Sequence, residues 1–291
     1  MDSVLAKLGN EIEDVDEETF DIFSQPAVSQ DLGMVDPKAP LLEISIAGRD
    51  FELSQSPGIL QSARGGGTTG AAVWKSSVLL AEWMAWPQNP LFASDSIKSV
   101  IELGAGISGL VPLIVAPRVR KVVATDQAYV MKALQANIAA NTAGPASKQK
   151  RKSSKNTPSD VPMPQSNIEA FALDWESDDV ASVLRANGLE SGLDLVLACD
   201  CVYNYALIDP LVQCCEDIGK MRLCEDGESP GQTTLFVIAQ QLRQPDVFEQ
   251  WLEAFHRAFR IWRVPNDLLS TGLKTGSGFV VHVGVLRQAS R

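Results

Sequence analysis

From residue 98 onward, short runs of apolar and mostly β-branched residues alternate with stretches whose apolar positions recur every three or four residues. The runs KSVIEL, KVVATD, IEAFALD, LDLVLACD and TTLFVIAQQ predict strands, with RIWRV and FVVHVGVLR as closing strands. Between them SGLVPLIVA, AYVMKALQANIAAN, IDPLVQCCEDIGKM and DVFEQWLEAFHRAF predict helices. This alternation predicts an α/β fold with a parallel, doubly wound sheet. No long helical pattern separates the last two strands, which predicts an antiparallel pair at the sheet edge.

Upstream, the pattern is less regular. Residues 1–40 are acidic and polar, with a short helix predicted around Glu17–Ser24. Residues 41–56, LLEISIAGRDFELSQS, alternate apolar and polar positions about an Ala-Gly-Arg turn and predict a β-hairpin. The glycine-rich stretch Arg64–Gly70 precedes a helical pattern in which Trp74, Val78, Ala81 and either Trp83 or Met84 share a face. Residues 143–166 are rich in Lys, Ser and Pro and cannot bury much surface, so a disordered insertion is expected there. The expected organisation is an acidic extension with a hairpin over 1–64 and one α/β domain over 65–291.

Composition narrows the chemistry. A formal charge of −11 disfavours a phosphate-backbone binder and fits a basic protein partner better, although acidity also serves solubility. Five cysteines, none spaced Cys-x-x-Cys, predict buried thiols in a reducing compartment rather than disulfides or zinc. The N-terminus lacks a basic and apolar leader pattern, and no apolar run is long enough for a membrane span, so a cytoplasmic protein is expected. The KQKRK run would add a nuclear share only if it acts as a signal, and such runs are common in solvated loops. His256 lies in a helical pattern and His282 in a strand pattern; both read as structural, and no metal site is expected.

The residues with chemistry cluster after the strands. Gly104, Gly106 and Gly109 form Gly-x-Gly-x-x-Gly directly after the first strand, where bare backbone lets a nucleotide approach N–H groups. Dinucleotide and S-adenosylmethionine sites share this loop. Glu102, two residues before it, separates them: a carboxylate repels a pyrophosphate but attracts the ammonium and sulfonium of S-adenosylmethionine, directly or through water. Asp126 ends the second strand, placed to accept from both ribose hydroxyls. Trp175 follows the third strand, where an indole can lie against adenine. The fourth strand ends in LVLACDCVYN, which brings Asp200 and Tyr203 to the crevice above the sheet.

Taken together, TTGAAVWKSSVLLAEWM, VIELGAGISGLVPL, VVATDQ, LQANIAAN, LDW and LVLACDCVYN resemble the seven-β-strand methyltransferases of the methyltransferase-like twenty-one group, which are largely protein-lysine methyltransferases. The match spans roughly residues 68–287. DEETFDIFSQ and LIDPLVQCC further resemble the fungal ribosomal lysine methyltransferases that modify the large-subunit stalk protein. The resemblance implies a Rossmann-like sheet of seven strands with an antiparallel last strand, S-adenosyl-L-methionine as cofactor, and transfer to a lysine of a ribosomal protein with a basic surface. It matches Trp74, Gly104, Ala105, Gly106, Asp126, Trp175 and Cys199 to cofactor contacts, and Asp200 and Tyr203 to the Asp-x-x-Tyr motif. Asp200 is then expected to capture and orient the lysine, with proton loss to water. Ile107-Ser108 departs from the usual Thr-Gly pair, and the Lys-rich insertion is longer than typical. Alternatives are an elongation-factor or chaperone lysine as acceptor, a small amine, an NAD-dependent oxidoreductase, or a non-catalytic interaction module.

Overall fold

A computed structural model describes residues 2–25, 33–57, 69–142, 166–223 and 233–287. The insertion 143–166 up to residue 165, the Arg64–Thr68 part of the glycine-rich stretch, the expected 64/65 boundary and Cys224 lie outside the described residues.

In chain order the elements are α1 (Asp2–Leu5), α2 (Val15–Phe23), β1 (Leu41–Ile46), β2 (Arg49–Ser54), α3 (Lys75–Ala85), β3 (Ser99–Leu103), α4 (Leu110–Val115), β4 (Lys121–Asp126) and α5 (Ala128–Thr142). There follow β5 (Ile168–Ala172), α6 (Val180–Ala186), β6 (Leu195–Cys199), α7 (Ile208–Lys220), β7 (Leu235–Gln241), α8 (Pro245–Ala258), β8 (Phe259–Arg263) and β9 (Phe279–Leu286). Strands β3 to β9 form one sheet of seven in the order β5-β4-β3-β6-β7-β9-β8. β9 alone runs against its neighbours, pairing with both β7 and β8. The expected antiparallel pair is present, but β9 lies inside the sheet and β8 holds the edge.

The central strands are buried on both faces, so their residues alternate between two cores rather than between core and water. One layer unites Leu80, Trp83 and Met84 of α3, Leu110 of α4, Leu134 of α5 and the hairpin's Ile44 and Phe51. The other unites Leu184 of α6, Leu211 and Cys215 of α7, Trp251 and Phe255 of α8, and Ile22 of α2. Helix α6 carries no clear sequence signal: its seven residues span only about two turns, and it starts from an Asp179 cap that accepts from Ser182 N at 2.7 Å. Helix α2 begins two residues before its expected start because the Asp14 carboxylate caps it, accepting from Glu17 N at 3.0 Å.

The parts of the N-terminal extension that are described pack onto these layers. Buried Glu18 of α2 meets the fully buried His282 of β9 at 2.9 Å, with Arg263 at 3.5 Å. Burial raises the Glu18 carboxyl, but His282 and Arg263 outweigh it and hold the group below its ordinary value. The hairpin turns at Ala47 and Gly48, both at positive φ. It is then clamped to α5 by two asparagines one turn apart. Asn137 accepts from Ser54 N at 2.9 Å, donates to Ser54 O at 2.9 Å and donates to Ile107 O at 2.6 Å. Asn141 reads Glu52 in the same way, accepting from its N–H at 2.9 Å and donating to its carbonyl at 2.8 Å. Asn137 thereby ties the hairpin, α5 and the glycine loop together.

Replacing Asn137 with Ala strips partners from buried backbone groups of two segments, so stability should fall by roughly 2–3 kcal/mol. A urea midpoint equal to that of the wild type would contradict the clamp.

Candidate functional site

The loops leaving β3, β4, β5, β6 and β7 enclose a cavity of about 340 Å³, within the range of small-ligand sites. It lies where the crossovers from β3 and β6 diverge, at the carboxyl ends of the strands.

The glycine loop forms one wall. Gly104 has φ +66°, and a Cβ there would stand 2.7 Å from Cys201 Sγ and 3.2 Å from the edge of the Trp175 indole. Only a bare backbone allows loop, thiol and ring to meet. From β4, Asp126 accepts from Gly106 N and from Gln127 N, each at 2.7 Å. Burial pushes its carboxyl up, against these two N–H donors that pull it down. A roof crosses from the segment before α3: Gly70 O accepts from Ile107 N at 2.9 Å, Thr69 O accepts from Trp74 Nε1 at 3.0 Å, and Thr69 Oγ1 lies 3.1 Å from the Tyr203 hydroxyl.

At the other end stands Asp200, a non-glycine residue at φ +57°. Such strain is held only where surrounding contacts enforce it. Ser76 Oγ donates to Asp200 Oδ2 at 3.3 Å, and Arg243 grips both carboxylate oxygens at 2.6 Å. Burial and neighbouring acids keep the Cys199 and Cys201 thiols well above their ordinary range, so neither is a nucleophile. Tyr203 likewise keeps its hydroxyl proton, because burial and nearby acids outweigh the Thr69 bond.

The cavity is lined by Trp74, Gly104, Ala105, Gly106, Asp126, Trp175, Cys199, Asp200 and Tyr203. Glu102 requires a correction. It does not reach the cavity wall but is 2% exposed beneath the loop, with Oε2 lacking a hydrogen-bond partner among the described residues. Burial, and secondarily Asp126, push its carboxyl up to about 8. It is therefore protonated at neutral pH, not the anion expected from its position before the glycines. The reading of Asp200 also changes, since its oxygens already face a guanidinium. Arg243 was missed; the only sequence signal was its place just past the end of a parallel strand.

Two buried polar atoms of cavity-lining residues lack hydrogen-bond partners among the described residues: Trp175 Nε1 and Gln240 Nε2. Buried groups of this kind are normally satisfied, so they mark places where a polar ligand completes the site.

The sequence profile of the lysine methyltransferase family matches residues 54–224. The chain belongs to that family. A Schizosaccharomyces pombe protein named diaminohydroxyphosphoribosylamino-pyrimidine deaminase is 30% identical over 254 residues, covering 86% of this chain and 53% of that protein. Ribosomal lysine N-methyltransferase 5 of Zygosaccharomyces rouxii is 28% identical over 228 residues, covering 70% of each. Mouse protein-lysine N-methyltransferase EEF2KMT is 27% identical over 219 residues, covering 74% of this chain and 56% of that one. The chain thus spans about half the length of the first of these relatives. Zinc deaminases carry a His-x-Glu and Pro-Cys-x-x-Cys signature, of which the His and Cys bind zinc and the Glu moves protons, and the given sequence contains neither motif. Among solved structures, the T. thermophilus 16S rRNA N2 G1207 methyltransferase with AdoMet and guanosine superposes with TM-score 0.47 at 16% identity, covering 85% of this chain and 50% of that one.

Between about pH 4.5 and 8 the folded chain retains a Glu102 proton that the unfolded chain releases, so this group's contribution to stability falls as pH rises. Glu102→Gln should therefore raise the melting temperature relative to wild type more at pH 9 than at pH 5. A larger gain at pH 5 would contradict the buried neutral acid.

Proposed function

We propose that the chain is an S-adenosylmethionine-dependent protein-lysine N-methyltransferase acting on a basic ribosomal protein. The observation that carries this is the cavity's division into two ends. One end has the glycine loop, Asp126 and Trp175; the other has Asp200, Tyr203 and Trp74, with a neutral hydroxyl and no reactive thiolate or general-base histidine.

The residues present fit the cofactor. The bare Gly104 cradle admits a nucleoside against the loop, Asp126 retains lone pairs for ribose hydroxyls, and Trp175 offers an indole face and an unmatched Nε1 donor. S-adenosylmethionine held there would supply an electrophilic methyl on a sulfonium to a neutral amine, whose displaced proton would pass to water. The chain's own task is positioning a neutral amine about 3–3.5 Å from that methyl. A free lysine has a pKa near 10.4, so roughly one in a few thousand is neutral at pH 7. Desolvation in this cavity lowers that pKa, while Asp200 and Tyr203 orient the nitrogen.

Several yeast relatives carrying the ribosomal lysine N-methyltransferase name support a ribosomal acceptor, and the mouse EEF2KMT similarity supports the elongation-factor alternative. The acidic exposed face of α2, with Asp16, Glu17 and Asp21, supports a basic partner. It stands beside the cavity, since Phe23 of α2 meets cavity-lining Phe248 at 5.4 Å between ring centres. Four free buried cysteines support the reading of a reducing, cytoplasmic compartment.

Purified protein with radiolabelled S-adenosylmethionine and a lysate from a strain lacking it should label one protein band on lysine. Asp200→Asn should reduce turnover on the order of 100-fold while cofactor affinity changes little. Label appearing only in small amines would overturn the protein-substrate reading.

A further inference from the structure

Asp200 presents a physical difficulty for lysine methylation. A carboxylate within about 4–6 Å of an amine favours the ammonium, which has no lone pair to react. The structure contains a counterweight. Arg243 Nη1 meets Asp200 Oδ1 and Nη2 meets Oδ2, each at 2.6 Å, and Nη2 also donates to Gln241 Oε1 at 2.8 Å. The guanidinium carbon lies 5.7 Å from the centre of the Trp74 ring.

The far side is closed by the N-terminal segment. Lys75 N donates to Gly33 O at 2.7 Å and Val35 N to Val73 O at 3.0 Å, which straps residues 33–35 across this end of the cavity. Gly33 has φ +79°, and a Cβ there would overlap Gln241 Oε1 and come within 2.9 Å of Arg243 Nη2. Carboxylate, glutamine, indole and strap together hold the guanidinium in one place. Arg243 is a fixed cation.

We propose that Arg243 sets the protonation state of the acceptor amine: by neutralising Asp200 it leaves the carboxylate able to accept a hydrogen bond from the amine without holding it as an ammonium. This rests on the methyltransferase reading above. Among the described residues lining the cavity Arg243 is the sole cation, so nothing else supplies the counter-charge. Apart from Arg243, the polar groups that α3 and the β7 end bring to the cavity are neutral: Ser77, Gln240, Gln241 and Gln244. The acids Asp126, Asp174 and Glu176 belong to the β4 and β5 loops at the nucleoside end. Glu102 beneath β3 is kept neutral by burial, as are the Cys199 and Cys201 thiols and the Tyr129 and Tyr203 phenols.

The experiment is the pH profile of kcat at saturating acceptor, whose acid limb reports the bound amine. In Arg243→Gln the limb should move to higher pH by a unit or more, giving at least a tenfold loss near pH 7.5 that recovers near pH 9.5. Arg243→Lys, which keeps the charge but not the forked grip, should lower kcat with the limb in place. The double variant Asp200→Asn with Arg243→Gln, lacking both charges, should return the limb toward wild type. A loss uniform across pH in Arg243→Gln, or a double variant that keeps the shifted limb, would overturn the proposal. A readout independent of turnover is n-butylamine binding followed by tryptophan fluorescence. Wild type should bind more tightly as pH rises from 7 to 10, and Arg243→Gln should lose that dependence. Wild-type binding that weakens with pH overturns the role of Arg243 whatever the enzyme methylates; pH-favoured binding without any methyl transfer would instead sink the methyltransferase reading alone.

Discussion

The parallel pairing of β3 with β4 on one side and β6 on the other is the constraint on which the site depends. The chain leaves β3 toward β4 and β5, then returns across the sheet to β6 and β7. The crossovers on the two sides of β3 therefore diverge, and a crevice opens where they part. Register completes the arrangement: Leu103 pairs with both Thr125 and Ala198, so the glycine loop, Asp126 and Cys199 emerge at one level, with Asp200 one residue beyond. A slip of one residue would turn each of these side chains into the opposite layer.

The crevice gathers acids in an apolar setting, and each is accommodated differently. Asp126 is stabilised by two backbone N–H donors, and one of them is the glycine loop it orders. Asp200 is matched by a guanidinium. Glu102 has neither and keeps its proton. Burying an unpaired carboxylate costs several kcal/mol, so protonation is the cheaper state for Glu102 in the absence of a cation. A cationic ligand above the loop would reverse that preference. The sign of the Glu102 argument from sequence thus holds where a cation stands above the loop, and burial by itself favours the neutral acid.

The architecture was legible because its signals are local and repeated. Every strand of the large sheet announced itself as a short apolar run, and the loop glycines and strand-terminal acids marked the crevice. The single antiparallel strand was legible as a pair with β8, but its insertion between β7 and β8 was not, because nothing in FVVHVGVLR distinguishes an inner strand from an edge. Helix α6 escaped notice because seven residues make only about two turns, too short to display a period. Arg243 escaped for a different reason: its importance lies in one contact across 43 residues of sequence, and an isolated arginine after a strand carries no pattern. The burial of Glu102 was not legible, since sequence gives position along a strand but not depth below a loop.

The two ends of the cavity differ in how the chain builds them. Residues 54–224, matched by the family profile, contain the glycine loop, Asp126, Trp175 and Asp200. Gly33, which covers the guanidinium, and Arg243, which provides it, both fall outside that span. The strap reaches the site only because α2 and the hairpin are docked on opposite faces of the sheet, one through Glu18 and His282 and the other through Asn137 and Asn141. Segments remote from the glycine loop in sequence therefore finish the Asp200 end of the cavity and hold the one cation among its described lining residues. The Asp200 end can be altered through the strap before β1 and the loop after β7 without disturbing the glycine-loop end, since changes there leave the β3–β4 and β3–β6 ladders untouched.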